Sequence, residues 1–223
     1  MRANQRSLDT IATNLANLGT TGFKRTRTAE HAFELPTEHG RVRGLQAKDS
    51  VDFRQGELDR TGRALDVALF GEGFFAVEAG ESGEAYTRDG VFHLNERGTL
   101  VSDDGHQVAW DSLTGTIDPV GLPVEIDGEG FVRQGDTEVG RLRIVNFEDP
   151  SRLSQDRHGY WRAPNNLREV AHTAVVHQGA LEQSNATGME EMVAMIAVQR
   201  SFESVANVMS SIEDSYSRLT QPY

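Results

Sequence analysis

The feature that most constrains the fold is a long apolar stripe near the carboxyl end of the chain. Its members recur at alternating spacings of three and four residues, which places them on one side of an α-helix. A capping pair, Thr187 and Glu190, predicts where this helix begins. From Thr187 to Leu219 it would extend over about 50 Å, more than a compact domain of this size needs. The stripe consists of Met195, Val198, Phe202, Val205, Met209, Ile212, Tyr216 and Leu219.

The positions that flank this stripe are small or apolar instead of charged. They include Ala194, Ser201, Ala206, Val208, Ser215, Met192, Val193 and Ile196. Two-stranded coiled coils usually carry opposite charges at such positions. A helix that is apolar on several sides needs more than one helical neighbour, as in a bundle or a polymer.

A second, shorter helix is predicted at the amino end. Its apolar residues follow the same spacing, and Gly19 is expected to end it. These residues are Leu8, Ile11, Leu15 and Leu18. We expect them to pack on the carboxyl-terminal stripe and on the same helices of neighbouring subunits.

The middle of the chain reads as β-structure. The apolar run from Ala64 to Val77 predicts two strands separated at Gly71–Gly73. Turn dipeptides lie between alternating segments and predict a meander of hairpins. They are Asp89-Gly90, Arg97-Gly98, Asp104-Gly105, Asp127-Gly128 and Gln134-Gly135. The predicted fold class is α+β, with terminal helices that form a coiled-coil assembly module and a central all-β domain rich in hairpins.

Three regions follow from this pattern. Residues 1–28 and 182–223 are predicted to form the helical assembly module. Residues 29–57 are polar and mixed, which is typical of an extended connector, and residues 58–181 form the central β-rich domain.

Composition excludes several classes of function. The chain has 223 residues and a net charge of -12, which opposes binding to nucleic acid and to anionic lipid heads. It contains no stretch of about 18 apolar residues that could insert into a membrane. It also lacks cysteine, which excludes disulfides, thiol catalysis and cysteine-ligated zinc.

No pattern predicts a catalytic, cofactor or metal site. His172 and His177 are an odd number of residues apart in a strand-like run, which points them to opposite faces. The Asp103-Asp104-Gly105 turn lacks the alternating ligands of a calcium loop. Two alternatives stay open: a secreted β-rich binding module with a helical oligomerisation tail, and a hydrolase that uses scattered carboxylates.

Three groups of residues resemble sequence motifs of the bacterial flagellar basal-body rod protein family. The first contains Asn14, Asn17, Gly22 and Phe23, within the runs 6–17 and 20–24. The second contains Gly71, Gly73, Phe74 and Phe75, with 65–68 and 86–90. The third contains Gln183, Ser184 and Asn185, within 178–185, with 190–192 and 199–200. Together they extend, in order, over nearly the whole chain.

The resemblance implies a structural subunit without catalytic activity or cofactors. Its terminal helices would form an inner coiled-coil tube, and its β-domain would face outward. The implied partners are copies of itself, other rod subunits and the flagellar type III export apparatus, and the implied location is the periplasm-spanning rod of the basal body. The proximal rod type fits better than the distal type, because the segment from Glu30 to Gln55 is short. Family members usually carry a further dozen or so residues before Met1, which suggests a shortened amino end.

Overall fold

The computed structural model describes residues 2–37, 40–80, 83–156 and 158–220, without the side chains of 2–3, 30–37, 40–48, 214 and 216–220. Two α-helices, α1 (Arg2–Ala16) and α2 (Gly188–Thr220), enclose a region of strands in sequence. The predicted α+β class, with a mostly β centre between terminal helices, is therefore confirmed. Within the described residues, no helix is both long and apolar enough to cross a bilayer.

The chain divides into two compact units. The helical unit comprises Met1–Asn17, Arg25–Asp52 and Ala186–Tyr223, and the β-unit comprises Leu18–Lys24 and Phe53–Asn185. The segment predicted as a connector thus belongs mainly with the helices. The short loop Leu18–Lys24 belongs with the strands, although the residues on both sides of it belong to the helical unit.

In the helical unit, α1 lies against the first half of α2. The Asn4 side chain donates a hydrogen bond to Ser201 Oγ at 3.0 Å, and Ile11 lines a cavity together with Val198. The two helices are therefore antiparallel. The helix α2 begins at Gly188, directly after Thr187, and Glu191 N donates to Thr187 O at 3.1 Å, so its predicted start is confirmed.

The helix α1 ends earlier than predicted. It stops at Ala16, where Asn17 N is shared between the carbonyl oxygens of Thr13 and Asn14 and the Asn17 side chain also donates to Thr13 O. These competing bonds tighten the last turn. The prediction that the helix reaches Leu18 is wrong, and Leu18 lies in the β-unit.

A long hairpin completes the helical unit. Strands β1 (Thr26–Thr37) and β2 (Gly40–Val51) pair in antiparallel register from Thr26 opposite Val51 to Thr37 opposite Gly40. The bond from Asp52 N to Arg25 O, 2.8 Å long, closes the open end of the hairpin. The range 29–57, predicted as extended, contains most of this hairpin.

The β-unit contains the remaining strands. They are β3 (Leu58–Arg60), β4 (Val67–Phe70), β5 (Phe74–Glu78), β6 (Glu84–Thr87), β7 (Phe92–Leu94), β8 (Leu100–Ser102), β9 (Gln107–Val108), β10 (Trp110–Leu113), β11 (Val124–Ile126), β12 (Phe131–Gln134), β13 (Thr137–Leu142), β14 (Ile144–Phe147), β15 (Ser154–Gln155), β16 (Trp161–Arg162), β17 (Glu169–Val170), β18 (Val175–Gln178) and β19 (Ala180–Glu182).

These strands form several sheets around one main core. One sheet has the order β10-β13-β12-β11, and a larger one runs β15-β16-β6-β5-β9-β8-β7, with β14 and β17 attached. Two ribbons, β18-β4 and β19-β3, complete the unit. The main core includes Val67, Phe75, Leu100, Val132 and Leu142, which are almost fully buried.

Four of the five predicted turns join paired strands. Arg97-Gly98 links β7 to β8, Asp104-Gly105 links β8 to β9, Asp127-Gly128 links β11 to β12, and Gln134-Gly135 links β12 to β13. The hairpin predicted at Asp89-Gly90 is wrong, since β6 and β7 do not pair with each other. Gly90 is not among the glycines with positive φ.

The segment around Gly90 is held by another part of the chain. Val67 N donates to Gly90 O at 3.0 Å, and Val91 forms a bridge with Asp66. A Cβ atom on Gly90 would lie 1.6 Å from Val67 O, so this close approach requires glycine. The two strands predicted on either side of Gly71–Gly73 also exist as β4 and β5, but they pair with other strands instead of each other.

Candidate assembly surface and buried charge cluster

The predicted apolar stripes are buried to different degrees. On α1, Ile11 is buried, while Leu8 and Leu15 are half-buried. On α2, exposure increases along the helix. Residues Met195, Val198 and Phe202 are half-buried, and Val205, Met209 and Ile212 are exposed. The side chains of Tyr216 and Leu219 lie outside the described part of the chain.

The second half of α2 therefore presents apolar side chains to water. Met209 and Ile212 are 47% and 50% exposed, and Val208, which flanks the stripe, is 56% exposed. Other exposed apolar residues lie on the first half of the helix: Met189, Met192, Val193 and Ile196. We call the exposed residues Val205, Val208, Met209 and Ile212 the distal stripe. Contiguous exposed apolar surface of this kind is typical of interaction sites.

Polar contacts connect α1 and α2 to the start of the hairpin in the helical unit. Asn14 is 1% exposed, and its side chain donates to Thr26 O at 2.8 Å and accepts from Thr26 N at 3.0 Å. The amide side chain thereby satisfies both backbone groups of the first residue of β1. Arg25 pairs with Glu190 and Glu191 in the first turn of α2, with 2.6 Å between Arg25 Nε and Glu191 Oε1.

A cavity of about 270 Å³ lies between α1, α2 and the start of β1. Its wall combines apolar atoms of Ile11, Ala194 and Val198 with the charged Arg25 and Glu191. The buried Glu191 is stabilised by Arg25 and by its position at a helix amino terminus, where the backbone dipole favours negative charge.

In the β-unit, a cluster of three charged side chains is almost fully buried. The Glu182 carboxylate, at the end of β19, accepts from Lys24 Nζ at 2.5 Å and from Arg88 Nη1 at 3.2 Å. Gly56 N donates to the same carboxylate at 2.8 Å. The Glu182 side chain is 0% exposed, and those of Lys24 and Arg88 are 1% and 5% exposed. We call Lys24, Arg88 and Glu182 the buried charge cluster.

The two cations of this cluster also bind backbone carbonyl groups. Lys24 Nζ donates to Arg54 O at 2.9 Å, and Arg88 Nη2 donates to Gly71 O at 2.8 Å. The Arg88 guanidinium lies over the Phe74 ring, 5.3 Å from its centroid. Burial lowers the pKa of Arg88, and the adjacent Glu182 carboxylate opposes that shift. An arginine in these surroundings stays charged.

Backbone hydrogen bonds join the segments that carry this cluster. Gly22 N donates to Glu182 O at 2.7 Å, Asn185 N to Phe23 O at 3.4 Å, and Gln183 N to Glu57 O at 2.8 Å. Gly22 has a φ of 67°, and a Cβ atom there would lie 2.4 Å from the Arg88 carbonyl carbon. Glycine is therefore required at this crossing of two chain segments.

Six motif residues meet around this buried charge cluster. Gly22, Phe23, Gly71, Phe74, Gln183 and Asn185 all make contacts within it or beside it. Gly73 and Phe75 lie next to them in sequence, and Phe75 belongs to the main core. Asn14 and Asn17 lie in the helical unit instead. The assignment of Ser184 to the family motif stays a prediction.

Lys24, Arg88 and Glu182 are not among the predicted site residues, although each lies inside one of the three motif regions. A signal was present for Glu182, which follows Ala180 and Leu181 in a strand that is buried throughout. A carboxylate in such a strand needs a buried cation. The sequence alone does not indicate which of the basic residues supplies it.

Asp89 forms a second side-chain contact with the loop Leu18–Lys24. Its Oδ1 atom accepts from Thr21 Oγ1 at 2.6 Å and from Val91 N at 3.2 Å. Burial raises the pKa of Asp89, and the hydrogen bonds from Thr21 and Val91 oppose this shift, while the nearby Asp103 and Asp104 add to it.

The remaining titratable groups do not form a metal-binding arrangement in the described residues, where no three His, Asp or Glu side chains converge. Two of the histidines make aromatic contacts. The His106 ring lies 5.0 Å from that of Tyr160, and the His177 ring lies 6.0 Å from that of Phe70.

Three family models match the chain. They are described as "Flagella basal body rod protein" over residues 1–24, "Flagellar hook protein FlgE/F/G D1 domain" over residues 68–134, and "Flagellar basal body rod FlgEFG protein C-terminal" over residues 177–221. The first and last of these ranges contain the terminal helices, and the middle range lies in the β-unit.

Similar proteins align along almost the full chain. Flagellar basal-body rod protein FlgF of Caulobacter vibrioides is 38% identical, over 93% of this chain and 87% of the relative. FlgF of Mesorhizobium japonicum is 32% identical, over 95% and 89%. Flagellar basal-body rod protein FlgG of Buchnera aphidicola subsp. Schizaphis graminum is 30% identical, over 98% and 95%. The chain therefore belongs to the flagellar basal-body rod protein family.

Proposed function

We propose that this protein is a non-enzymatic rod subunit that polymerises through its terminal helices to build a shaft that transmits torque. As a member of its family, the chain is a structural component of the flagellar basal body. The proposal concerns how it assembles. The single observation that carries it is the distal stripe, an apolar surface on α2 that α1 leaves exposed.

The energetics support assembly through this surface. Burying a large apolar side chain contributes about 1.5 to 3 kcal/mol relative to leaving it in water. Met209 and Ile212 are each about half exposed, so much of this free energy becomes available only when a neighbouring helix covers them. The small residue Ala206 flanks the stripe and allows a neighbouring helix to approach closely.

We further propose that the neighbours are copies of the chain and other rod subunits, arranged as a coiled-coil tube. The proposed assembly residues on the two helices are Leu8, Ile11, Leu15, Met195, Val198, Phe202, Val205, Met209, Ile212, Tyr216 and Leu219, whereas Leu18 lies beyond the end of α1. The flagellar type III export apparatus is the proposed route of delivery. The absence of cysteine supports it, because no disulfide forms to hinder passage of an unfolded chain.

The proximal part of the rod is the proposed position. The support from the sequence is the short segment between Glu30 and Gln55. Identity with FlgF of Caulobacter vibrioides, at 38%, is also higher than with several FlgG relatives, at 29% to 32%. This favours a subunit of the FlgF type.

The test replaces Phe202 with glutamate. Phe202 lies at the point where α1 stops covering α2, and a carboxylate there would have to be desolvated in a helical tube. We expect Phe202→Glu to abolish rod assembly and swimming while the β-unit stays folded. The measurements are motility in soft agar, electron microscopy of basal bodies, and circular dichroism of the purified chain.

Asn207→Glu is the matched control, since Asn207 is exposed and lies on the opposite side of α2 from the stripe. This variant adds the same charge but should swim normally. Normal swimming of Phe202→Glu would contradict the proposal.

A further inference from the structure

The loop Leu18–Lys24 is attached to the β-unit by contacts along its length. Thr21 binds Asp89, Gly22 binds the backbone of Glu182, and Phe23 O accepts from Asn185 N. Lys24 inserts its ammonium group into the buried charge cluster. The loop is therefore a docked segment, although the residues before and after it belong to the helical unit.

The buried charge cluster makes partial detachment of this loop unfavourable. The Glu182 carboxylate has three donors, Lys24, Gly56 and Arg88, and each comes from a different segment of the chain. If the loop left while the rest of the cluster stayed closed, Glu182 would lose its shortest ion pair in a site without water access. Removing one partner of a buried ion pair is strongly destabilising.

Contacts beside the cluster also make several chain segments depend on one another. The Asn185 side chain donates to Arg54 O at 2.8 Å, and Lys24 Nζ donates to the same oxygen. The segments around Arg54, Lys24 and Asn185 thus share one acceptor. Release of any one of them leaves a polar group of another with fewer partners.

We infer that the loop Leu18–Lys24 is a latch that opens and closes as one unit with the segments around Gly56 and Glu182. The latch makes docking of these three segments all-or-none, because the amino-terminal loop and the carboxyl-terminal strand β19 must both be in place. This inference does not depend on how the protein assembles. It assigns to the buried charge cluster the role of coupling two segments that are far apart in sequence.

Hydrogen exchange of the complete chain tests the inference. The amides of Gly22, Gly56 and Asn185 should exchange with one common opening constant. In Lys24→Met, all three should exchange roughly a hundredfold faster or more, because breaking the buried pair leaves Glu182 uncompensated. The amide of Ala76, which donates to Arg143 O inside the β-unit, should change much less.

Arg133→Met is the matched control, because it removes an exposed cation from β12 and should leave all three rates unchanged. The inference is overturned if the three amides exchange with different opening constants in the unmodified chain. It is also overturned if Lys24→Met accelerates Ala76 as much as Gly22, because the cluster would then contribute only to global stability.

A triple variant separates coupling from stability. In Lys24→Met/Arg88→Met/Glu182→Met, apolar side chains replace the whole cluster, a change that is often neutral or stabilising. We expect this variant to fold, but the three amides should lose their common opening constant. The inference is overturned if the three amides still exchange with one common opening constant in the triple variant. This comparison remains decisive if Lys24→Met alone does not fold.

Discussion

Asn14 connects α1 to β1 through its side chain, which pairs with both backbone groups of Thr26. Asn14 is 1% exposed, so alanine at this position leaves both backbone groups of Thr26 without their side-chain partner. We predict that Asn14→Ala destabilises the chain by about 1 to 3 kcal/mol, the cost of leaving buried polar groups unpaired. Chemical denaturation measures this change.

Asn207→Ala is the comparison for this experiment, since Asn207 is exposed on α2. Its effect should stay within about 0.5 kcal/mol, as is usual for surface substitutions. An equal loss in the two variants would show that the pairing with Thr26 contributes nothing specific.

The burial of Asp89 leads to a prediction about how the stability of the fold depends on pH. Burial raises its pKa in the folded state above the ordinary value of 3.8. The protonated group therefore stabilises the fold, and this contribution is fully present below the unfolded pKa and is lost as pH rises through the folded pKa. Asparagine keeps the oxygen that accepts from Thr21 and Val91 but carries no charge.

We therefore expect Asp89→Asn to gain stability relative to the unmodified chain as pH rises above about 4. Denaturant titrations at a series of pH values measure the difference. Glu138→Gln, at an exposed position on β13, controls for the loss of one negative charge. A difference between Asp89→Asn and the unmodified chain that shrinks with rising pH would contradict the assigned direction.

At the scale of elements, two hairpin turns provide a matched pair of glycines. Gly98 and Gly105 have φ values of 74° and 83°, so alanine is strained at both. They differ in their surroundings. A Cβ atom on Gly98 would lie 2.0 Å from Ile117 O, whereas none of the described atoms lies within 4 Å of one on Gly105.

We predict that Gly105→Ala costs about 1 to 2 kcal/mol, the price of a left-handed backbone for an L-residue. Gly98→Ala should cost more by about 1 to 3 kcal/mol, because the backbone must also move away from the new methyl group. Thermal unfolding of the two variants gives the comparison. Equal losses would show that the contact with Ile117 relaxes freely.

The elements that the sequence predicts well are those with long or local signals. The stripe from Met195 onward and the cap at Thr187 locate α2, and four turn dipeptides locate four hairpins. The Asp89-Gly90 turn was predicted on the same kind of signal and is wrong, because Asp66 and Val67 bind that segment instead. Pairing between distant segments leaves no local pattern to read.

The lack of a local pattern also explains why the sequence did not predict the buried charge cluster. The apolar spacing contains three of the four residues of the distal stripe, Val205, Met209 and Ile212, since a single helix carries them. The buried charge cluster takes Lys24, Arg88 and Glu182 from three distant positions, and only the folded chain brings them within hydrogen-bonding distance. Motif residues such as Gly22 and Gly71 lie beside this cluster, but they do not indicate that charged side chains are buried there.

At the scale of the whole molecule, charge opposes assembly. The net charge is -12, and the excess of acidic residues lies between Ala64 and Glu182. Subunits placed side by side repel one another, and salt screens this repulsion. The Debye length falls from about 30 Å at 0.01 M salt to about 8 Å at 0.15 M.

We therefore predict that assembly of the purified chain increases with ionic strength over this range. Analytical ultracentrifugation measures the distribution of species. The Phe202→Glu variant should remain unassembled at each salt concentration, because its repulsion is screened but its helical contact is lost. Assembly that weakens with added salt would show that ion pairs, and not apolar contacts, hold the subunits together.

The distal stripe has a consequence for how the proposed assembly would grow. A neighbouring copy that covers this stripe with a different part of its surface leaves its own distal stripe exposed. A contact between two unlike surfaces that does not close into a ring continues as a filament, so each added subunit would present again the surface on which the next one binds.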